Sequence, residues 1–205
     1  MPWGKWGIAF FDFDNDGNPD ILIVSGAIYP PGVNAARVTN DDAGKYLFRN
    51  DGDGRFRDIS ERAGPGIVEP HCGRGLGVGD VFHTGQVDAV INNINEAPTL
   101  LRNETPSPNS WLLVRLIGTK ANRAAIGSRV TLACGGHRQV QEVRSGGSFC
   151  SQSDLRLHFG LGRARQADRL EVRWLSGGQE IIERVAANRL VTIQEGKGII
   201  SQDTF

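Results

Sequence analysis

One short acidic segment constrains this chain more than any other part of its sequence. Residues 12–20 read DFDNDGNPD, with aspartates at the first, third, fifth and ninth positions and glycine at the sixth. Carboxylates this close together repel one another unless a positive charge lies among them. Ca²⁺ takes about six to eight oxygen ligands in flexible geometry, so this spacing predicts a calcium site. We call residues 12–20 the acidic loop.

The predicted metal ligands are five oxygen donors of the acidic loop. They are the side chains of Asp12, Asp14, Asp16 and Asp20 and the backbone carbonyl of Asn18. Glycine at the sixth position allows the sharp turn that bends a loop around an ion. The alternative is a solvated acidic hairpin turn, since Asp-Gly is a common turn dipeptide.

Apolar residues on both sides of the acidic loop predict strands. Residues 8–11 read IAFF and residues 21–24 read ILIV, a run rich in β-branched side chains. A helical calcium loop of the EF-hand type needs a glutamate at its twelfth position, where this chain has Ile23. The segment is therefore predicted to be strand, metal loop and strand.

Composition narrows the classes of function. The 205 residues include 23 Lys plus Arg and 23 Asp plus Glu, so no basic excess indicates nucleic-acid binding. The 27 glycines and the many short apolar runs predict an all-β chain of one or two domains. No apolar run is long enough to span a bilayer, and the first residues lack the pattern of a signal peptide.

The first half contains an internal repeat. Residues 7–12 (GIAFFD) match 75–80 (GLGVGD), and residues 20–24 (DILIV) match 88–92 (DAVIN). Residues 80–88, the second loop, keep the end aspartates and the glycine but have Phe82 and Thr84 at the third and fifth positions. We expect the same shape without calcium. His83 is either a ligand for another metal or a solvated turn residue.

Three further segments of the chain carry predictions. The insertion at residues 27–42, with Tyr29 as an anchor, is either a recognition surface or disordered. Asp51 and Asp53 hold a second ion or simply belong to Asp-Gly turns. Prolines near residue 108 predict a domain boundary, with a sandwich of short strands at 109–196 and a frayed tail at 197–205.

Both halves resemble known families. The acidic loop with its following strand resembles the FG-GAP or VCBS repeat of calcium-binding β-propellers. Four segments of the second half resemble an ASPIC/UnbV domain: 118–127 (GTKANRAAIG), 142–148 (EVRSGGS), 157–162 (LHFGLG) and 172–177 (VRWLSG). The pairing of the two units resembles bacterial relatives of cartilage acidic protein.

This resemblance implies a fold and a location. The fold is a partial β-propeller of about two FG-GAP/VCBS-like blades at 1–108, followed by an ASPIC/UnbV β-sandwich at 109–196. Relatives of this kind are mostly secreted, which implies an extracellular or periplasmic location. Two blades leave open sheet edges. Either the chain is the C-terminal piece of a longer propeller, which we favour, or copies self-associate, or the blades pack on the second domain.

The function that we expect is a calcium-stabilised, non-catalytic binding or adhesion module with a protein or carbohydrate ligand. One alternative is carbohydrate binding by the sandwich through Trp111 and Trp174, which competes with core packing of both rings. Another, from the genomic setting of ASPIC/UnbV proteins, is an accessory protein or enzyme of small-molecule biosynthesis.

Few residues suggest catalysis. The chain has no nucleophile elbow, zinc-protease helix, P-loop or dinucleotide fingerprint. His71 and Cys72 are adjacent, but neighbours on a strand point to opposite faces. Cys134 and Cys150 either form a disulfide or are small apolar residues.

Overall fold

The computed structural model describes residues 3–28 and 43–205, and these residues form an all-β structure. It contains several separate sheets and little helix: a short 3-10 helix at Ser60–Arg62 and α1 at Pro65–Val68. Among the described residues, no helix has both the length and the apolar character needed to cross a membrane.

The first half forms two antiparallel sheets. Sheet 1 contains β1 (Trp3–Phe11), β2 (Asp20–Ala27), β3 (Lys45–Asn50) and β4 (Phe56–Asp58), side by side in sequence order. Sheet 2 contains β5 (Gly73–Gly79), β6 (Asp88–Asn93) and β7 (Thr99–Leu101), also in sequence order. The acidic loop joins β1 to β2 and the second loop joins β5 to β6, so the sequence repeat is also a structural repeat.

One face of sheet 1 packs on sheet 2. Leu22, Val24 and Leu47 form a buried cluster with Leu76 and Ile91. The opposite face of sheet 1 is less covered, and the side chain of Phe10 on β1 is 65% exposed. Sheet 1 therefore has one apolar face that the described residues leave largely open.

The second half forms two four-stranded sheets around one core. Its strands are β8 (Ser110–Ile117), β9 (Arg129–Cys134), β10 (His137–Glu142), β11 (Gly147–Ser148), β12 (Ser151–Gln152), β13 (Leu157–Gly162), β14 (Gln166–Arg173), β15 (Gln179–Ala186), β16 (Arg189–Gln194) and β17 (Gly198–Asp203). Sheet 3 has the order β10-β9-β14-β15, and sheet 4 has the order β13-β8-β16-β17, in which β16 runs parallel to β8. Alternating apolar residues of both sheets meet in a single buried cluster, the arrangement of a β-sandwich.

One expectation about the second half was wrong, and one alternative that the sequence left open is decided. The tail is not frayed, because β17 pairs with β16 and its Ile199 packs against the core. No disulfide joins Cys134 to Cys150, because both thiols are free: Cys134 is buried at the end of β9, whereas Cys150 is exposed.

A hairpin from the second half lies along one edge of sheet 1 and one edge of sheet 2. We call this hairpin, β11–β12 at residues 147–152, the arm. The Ile8 N–H on β1 donates to the Ser148 hydroxyl at 3.0 Å, and just after the arm the Asp154 N–H donates to the Val78 carbonyl of β5 at 2.9 Å. Gly77 makes room, because a Cβ there would lie 2.9 Å from the Gln152 carbonyl. Of the alternatives for the open edges, packing on the second domain thus applies to β1 and β5.

Candidate metal centre

The two end aspartates give the acidic loop its shape. The Asp12 carboxylate accepts the N–H groups of Asp16 at 3.1 Å and Gly17 at 2.7 Å. The Asp20 carboxylate accepts those of Phe13 at 3.0 Å and Asn50 at 2.8 Å, which ties the loop to β3. Gly17 has φ of 93°, a conformation that favours glycine.

Three of the predicted ligand side chains converge. One carboxylate oxygen each from Asp12, Asp14 and Asp20 lies within 4.8 Å of the others, and these residues are only 6%, 8% and 1% exposed. Asp14 Oδ1 is buried and has no hydrogen-bond partner among the described residues. A buried carboxylate oxygen without a partner is costly, so this oxygen lacks compensation among the described residues.

The fourth predicted carboxylate, that of Asp16, lies beside this cluster. The Asp16 carboxylate is outside the group of three and accepts the Asn18 N–H at 2.8 Å. The Asn18 side chain lies against Gly52, in the turn after β3. The loop therefore presents three converging carboxylates with a fourth at their margin.

Burial, together with the neighbouring negative charges, raises the pKa of three carboxyls of the acidic loop. Burial, together with the neighbouring aspartates, raises the pKa of Asp12 to about 7 even though the Gly17 N–H opposes the shift. Burial likewise raises the pKa of Asp20 to about 7, and it also raises the pKa of Asp14, helped by the charge of Asp16. A cation at this position would favour the ionised carboxylates and reverse these shifts.

Arg49 is a charge partner that sequence reasoning missed. Its Nη2 lies 2.7 Å from Asp14 Oδ2 and 3.6 Å from Asp16 Oδ2. This half-exposed guanidinium pairs with two of the loop's four carboxylates, so it neutralises only part of the charge. A signal was present in the sequence, because residues 46–50 (YLFRN) match residues 99–103 (TLLRN) in the repeat, which aligns Arg49 with Arg102.

The acidic loop is covered by the second half of the chain. The Gly162 N–H of β13 donates to the Asn15 carbonyl at 2.9 Å. Residues 102–109, between β7 and β8, form the linker, and its Ser107 and Asn109 donate to the Asp14 carbonyl at 2.6 and 3.0 Å. A Cβ on Gly160 would lie 1.9 Å from Asp12 Oδ2, so only glycine fits there. The candidate site is therefore at the interface between the two halves.

The second loop has the predicted shape. The Asp80 carboxylate accepts the N–H groups of Thr84 and Gly85, each at 2.9 Å. The Asp88 carboxylate accepts that of Val81 at 2.9 Å. His83 packs on the ring of Phe205 at a centroid distance of 4.7 Å, and it belongs to no metal-compatible cluster of the described residues.

Other sequence candidates do not form a comparable site. Asp51 pairs with Arg57 at 2.8 Å, and Asp53 accepts the Arg55 N–H at 3.1 Å, as expected for turns. His71 binds Glu96 at 2.6 Å. The insertion that begins at Ala27 lies, from Tyr29 to Asp42, outside the described residues.

Comparison with known proteins assigns the second half of the chain. Residues 118–200 match the family model described as ASPIC and UnbV, so the sandwich contains an ASPIC/UnbV domain, as predicted. A segment of 56 residues is 41% identical to Cartilage acidic protein 1 of Xenopus tropicalis. This segment covers 27% of the chain but only 8% of that relative, so the similarity is partial.

Proposed function

We propose that the acidic loop binds Ca²⁺ and that the protein is a calcium-stabilised, non-catalytic binding module. The observation that carries this proposal is Asp14 Oδ1, a buried carboxylate oxygen without a partner beside the carboxylates of Asp12 and Asp20. The donor set consists of oxygens only, which suits a hard cation.

The burial of the loop argues against a solvated acidic turn. In such a turn the side chains would point into water, whereas here Asp12, Asp14 and Asp20 are buried. These three would hold the ion, with Asp16 and the Asn18 carbonyl as further donors. The ion would supply the positive charge that Arg49 provides only in part.

The proposed role of calcium is structural. In the acidic loop, the Asn15 carbonyl accepts a hydrogen bond from β13, and the Asp14 carbonyl accepts two from the linker. An ion that fixes this loop would also fix the surface on which the ASPIC/UnbV domain docks. We therefore propose that calcium stabilises the contact between the two halves.

We further propose that sheets 1 and 2 are neighbouring blades of an FG-GAP/VCBS-type propeller. Each is a meander in sequence order, and equivalent loops join equivalent strands. The strands β1 and β5 lie close together, since a Cβ on Gly7 would be 2.6 Å from Leu76 Cβ. The open face of sheet 1, with exposed Phe10, would pack on a preceding blade.

A binding role outside the cytoplasm follows from this proposal. Extracellular calcium modules work at millimolar calcium, and the family resemblance indicates secretion. Stacking of a sugar on Trp111 or Trp174 is not favoured, because the two rings are only 8% and 4% exposed.

The test is thermal and denaturant unfolding in calcium and in chelator. Calcium at about a hundredfold excess over its Kd is expected to stabilise the protein by about 2.7 kcal/mol. The Asp14→Asn variant should lose this response. The Asp53→Asn variant, with the same substitution in an exposed turn, should keep it. Identical unfolding curves of the wild-type protein in calcium and in chelator would refute the proposal.

A further inference from the structure

The carbonyl of Gly85 in the second loop is a point at which three parts of the molecule meet. It accepts a hydrogen bond from Asn15 Nδ2 of the acidic loop at 3.0 Å. It also lies 3.0 Å from Nε2 of His158, a residue of β13 in the sandwich. A Cβ on Gly85 would lie 1.9 Å from the Trp111 ring, so the second loop packs tightly against the sandwich at this point.

The contact with Gly85 fixes which nitrogen of the neutral His158 ring carries the proton. A carbonyl oxygen only accepts hydrogen bonds, so Nε2 is the donor. The other nitrogen, Nδ1, is buried and has no hydrogen-bond partner in the described part of the chain. The Trp111 ring lies nearly parallel to the imidazole, at a centroid distance of 6.4 Å. His158 is thus a neutral donor that also carries one buried, unpaired nitrogen.

Three charged side chains act on the His158 ring. Asp80 lies at the start of the second loop, and Asp154 and Arg156 lie just before β13. The Arg156 guanidinium joins this group, because it donates to Asp154 Oδ2 at 2.7 Å and to the Asp80 carbonyl at 2.9 Å. The neighbour from β10 is Gln141, an uncharged residue whose side-chain amide donates to the His158 carbonyl. Burial has the largest influence on the pKa of His158 and lowers it below 6.5, although the two acidic charges oppose this shift.

Another titratable side chain on this side of the sandwich is His83 of the second loop. Two rings separate it from His158: Trp111 lies beside His158, and Phe205 stacks on Trp111 at a centroid distance of 5.9 Å. Phe205 in turn contacts His83 at 4.7 Å. On β8 the residue paired with His158 is Leu113, which carries no charge. A proton on Nδ1 of His158 therefore finds no acceptor among the residues that the structure describes.

We propose that His158 makes the docking of the two halves sensitive to acid, because a proton on its ring weakens the hold of the sandwich on the second loop. Nε2 already carries a hydrogen, so the added proton binds at Nδ1. In the docked state this creates a buried cation whose new N–H group has no acceptor, which is unfavourable. In the undocked state water solvates both ring nitrogens, and the same proton binds without this penalty.

Docking should therefore weaken as the pH falls. Below about pH 6.5, the ordinary pKa of histidine, the undocked state binds a proton that the docked state binds only at lower pH. The equilibrium constant for docking should then decrease by up to a factor of about ten for each pH unit, until the docked ring is protonated as well. The carboxyls of the acidic loop act in the opposite direction, since their raised pKa makes the folded protein bind protons.

The test is amide hydrogen exchange in excess calcium at about pH 7.5 and about pH 5.5, on either side of the ordinary pKa of histidine. Two amides report on docking: the Gly162 N–H, which is bonded to the acidic loop, and the Asp154 N–H, which is bonded to β5. Their protection factors are expected to fall about tenfold at the lower pH. The His158→Gln variant should show no such fall, because its side-chain amide can donate to Gly85 but does not titrate.

A matched control and a second measurement make the result specific. The His137→Gln variant changes an exposed histidine of β10 and should behave as the wild-type protein does. Protons on the acidic loop affect all three proteins equally. The ratio of protection factors between the wild-type protein and His158→Gln therefore isolates His158, whether or not calcium binds. If His158→Gln does not fold, nuclear magnetic resonance titration of the wild-type imidazole decides, and its midpoint should lie below about pH 6.5.

Three results would overturn the proposal. The first is a wild-type protein whose protection factors do not fall, or fall as much as those of His158→Gln. The second is a His158 midpoint at or above about pH 6.5. The third is equal protection of the two docking amides and the amides of β9, an inner strand of sheet 3, at the lower pH. Equal protection would mean that acid unfolds the whole protein and does not separate its halves.

Discussion

The acidic loop and the second loop share their backbone hydrogen bonds but differ in the side chains at their centre. In each loop the first aspartate accepts the N–H groups of the fifth and sixth residues, and the last aspartate accepts that of the second. The last aspartate also accepts an asparagine N–H from a neighbouring strand region, Asn50 or Asn103. The end aspartates and the glycine therefore specify the turn, and the third and fifth positions specify its charge.

The same arginine position serves both loops. Arg49 pairs with the carboxylate of Asp14, whereas Arg102 lies over the ring of Phe82, 4.7 Å from its centroid. Phe82 stands where the acidic loop has Asp14. A guanidinium binds a carboxylate as an ion pair and an aromatic ring through a cation–π interaction, so one residue type suits both centres.

Removal of the last aspartate should have the largest effect and should distinguish the loops. The Asp88→Ala variant leaves two backbone N–H groups without acceptors, and we expect a loss of about 2–4 kcal/mol of stability with or without calcium. In chelator, the Asp20→Ala variant should lose less stability than Asp88→Ala, because it also relieves charge crowding. In calcium, it should lose more stability than Asp88→Ala. Urea unfolding in both conditions measures these differences. Equal calcium dependence of the two variants would show that the loops are equivalent.

Stability of the calcium-free protein should depend on pH because of the acidic loop. The pKa of Asp12 and that of Asp20 are raised to about 7, against an ordinary value of 3.8. Between about pH 4 and pH 7 the folded state therefore binds protons that the unfolded state does not bind. In chelator, the free energy of unfolding should rise as the pH falls from 8 to 5, and saturating calcium at pH 8 should replace this stabilisation. A flat profile in chelator would contradict the raised pKa of Asp12 and Asp20.

Local hydrogen bonds explain how much of the fold was predictable. The aspartate, glycine and apolar spacing of residues 8–24 and 76–92 predicted both loops and their strands, because their contacts are close in sequence. The docking of the second half on the acidic loop was not predictable, because Asn109 and the Asp14 carbonyl that it contacts are 95 residues apart in sequence. The contacts of the arm with β1 and β5 also join residues that are distant in sequence. The strand β17 was missed because its pairing with β16 depends on the packing of Ile199 against the core of the second half.

Transfer of the two central aspartates should create a second calcium site. The double variant Phe82→Asp, Thr84→Asp gives the second loop the carboxylate spacing of the acidic loop on a backbone of the same shape. We expect calorimetry to show two calcium ions bound per chain, against the one that we propose for the wild-type protein. The single variant Thr84→Asp is the control and should still bind one. If the double variant folds and binds no second ion, carboxylate spacing on this turn is insufficient for calcium.

Substitution of Arg49 or Arg102 should have the smallest effects on stability, but only one of the two substitutions should change the affinity for calcium. Arg49→Gln removes the cation that pairs with Asp14 in the described part of the chain. The calcium-free protein should therefore lose up to about 1 kcal/mol of stability, as for a partly exposed ion pair. Calcium should then bind several times more tightly, because the ion no longer competes with the guanidinium for Asp14. Arg102→Gln should lose a similar amount of stability, about 0.5–1 kcal/mol, because the cation–π contact is lost. Its affinity for calcium should not change. Calcium titration of both variants separates the cases: weaker binding by Arg49→Gln would mean that the arginine supports the site and does not occupy it.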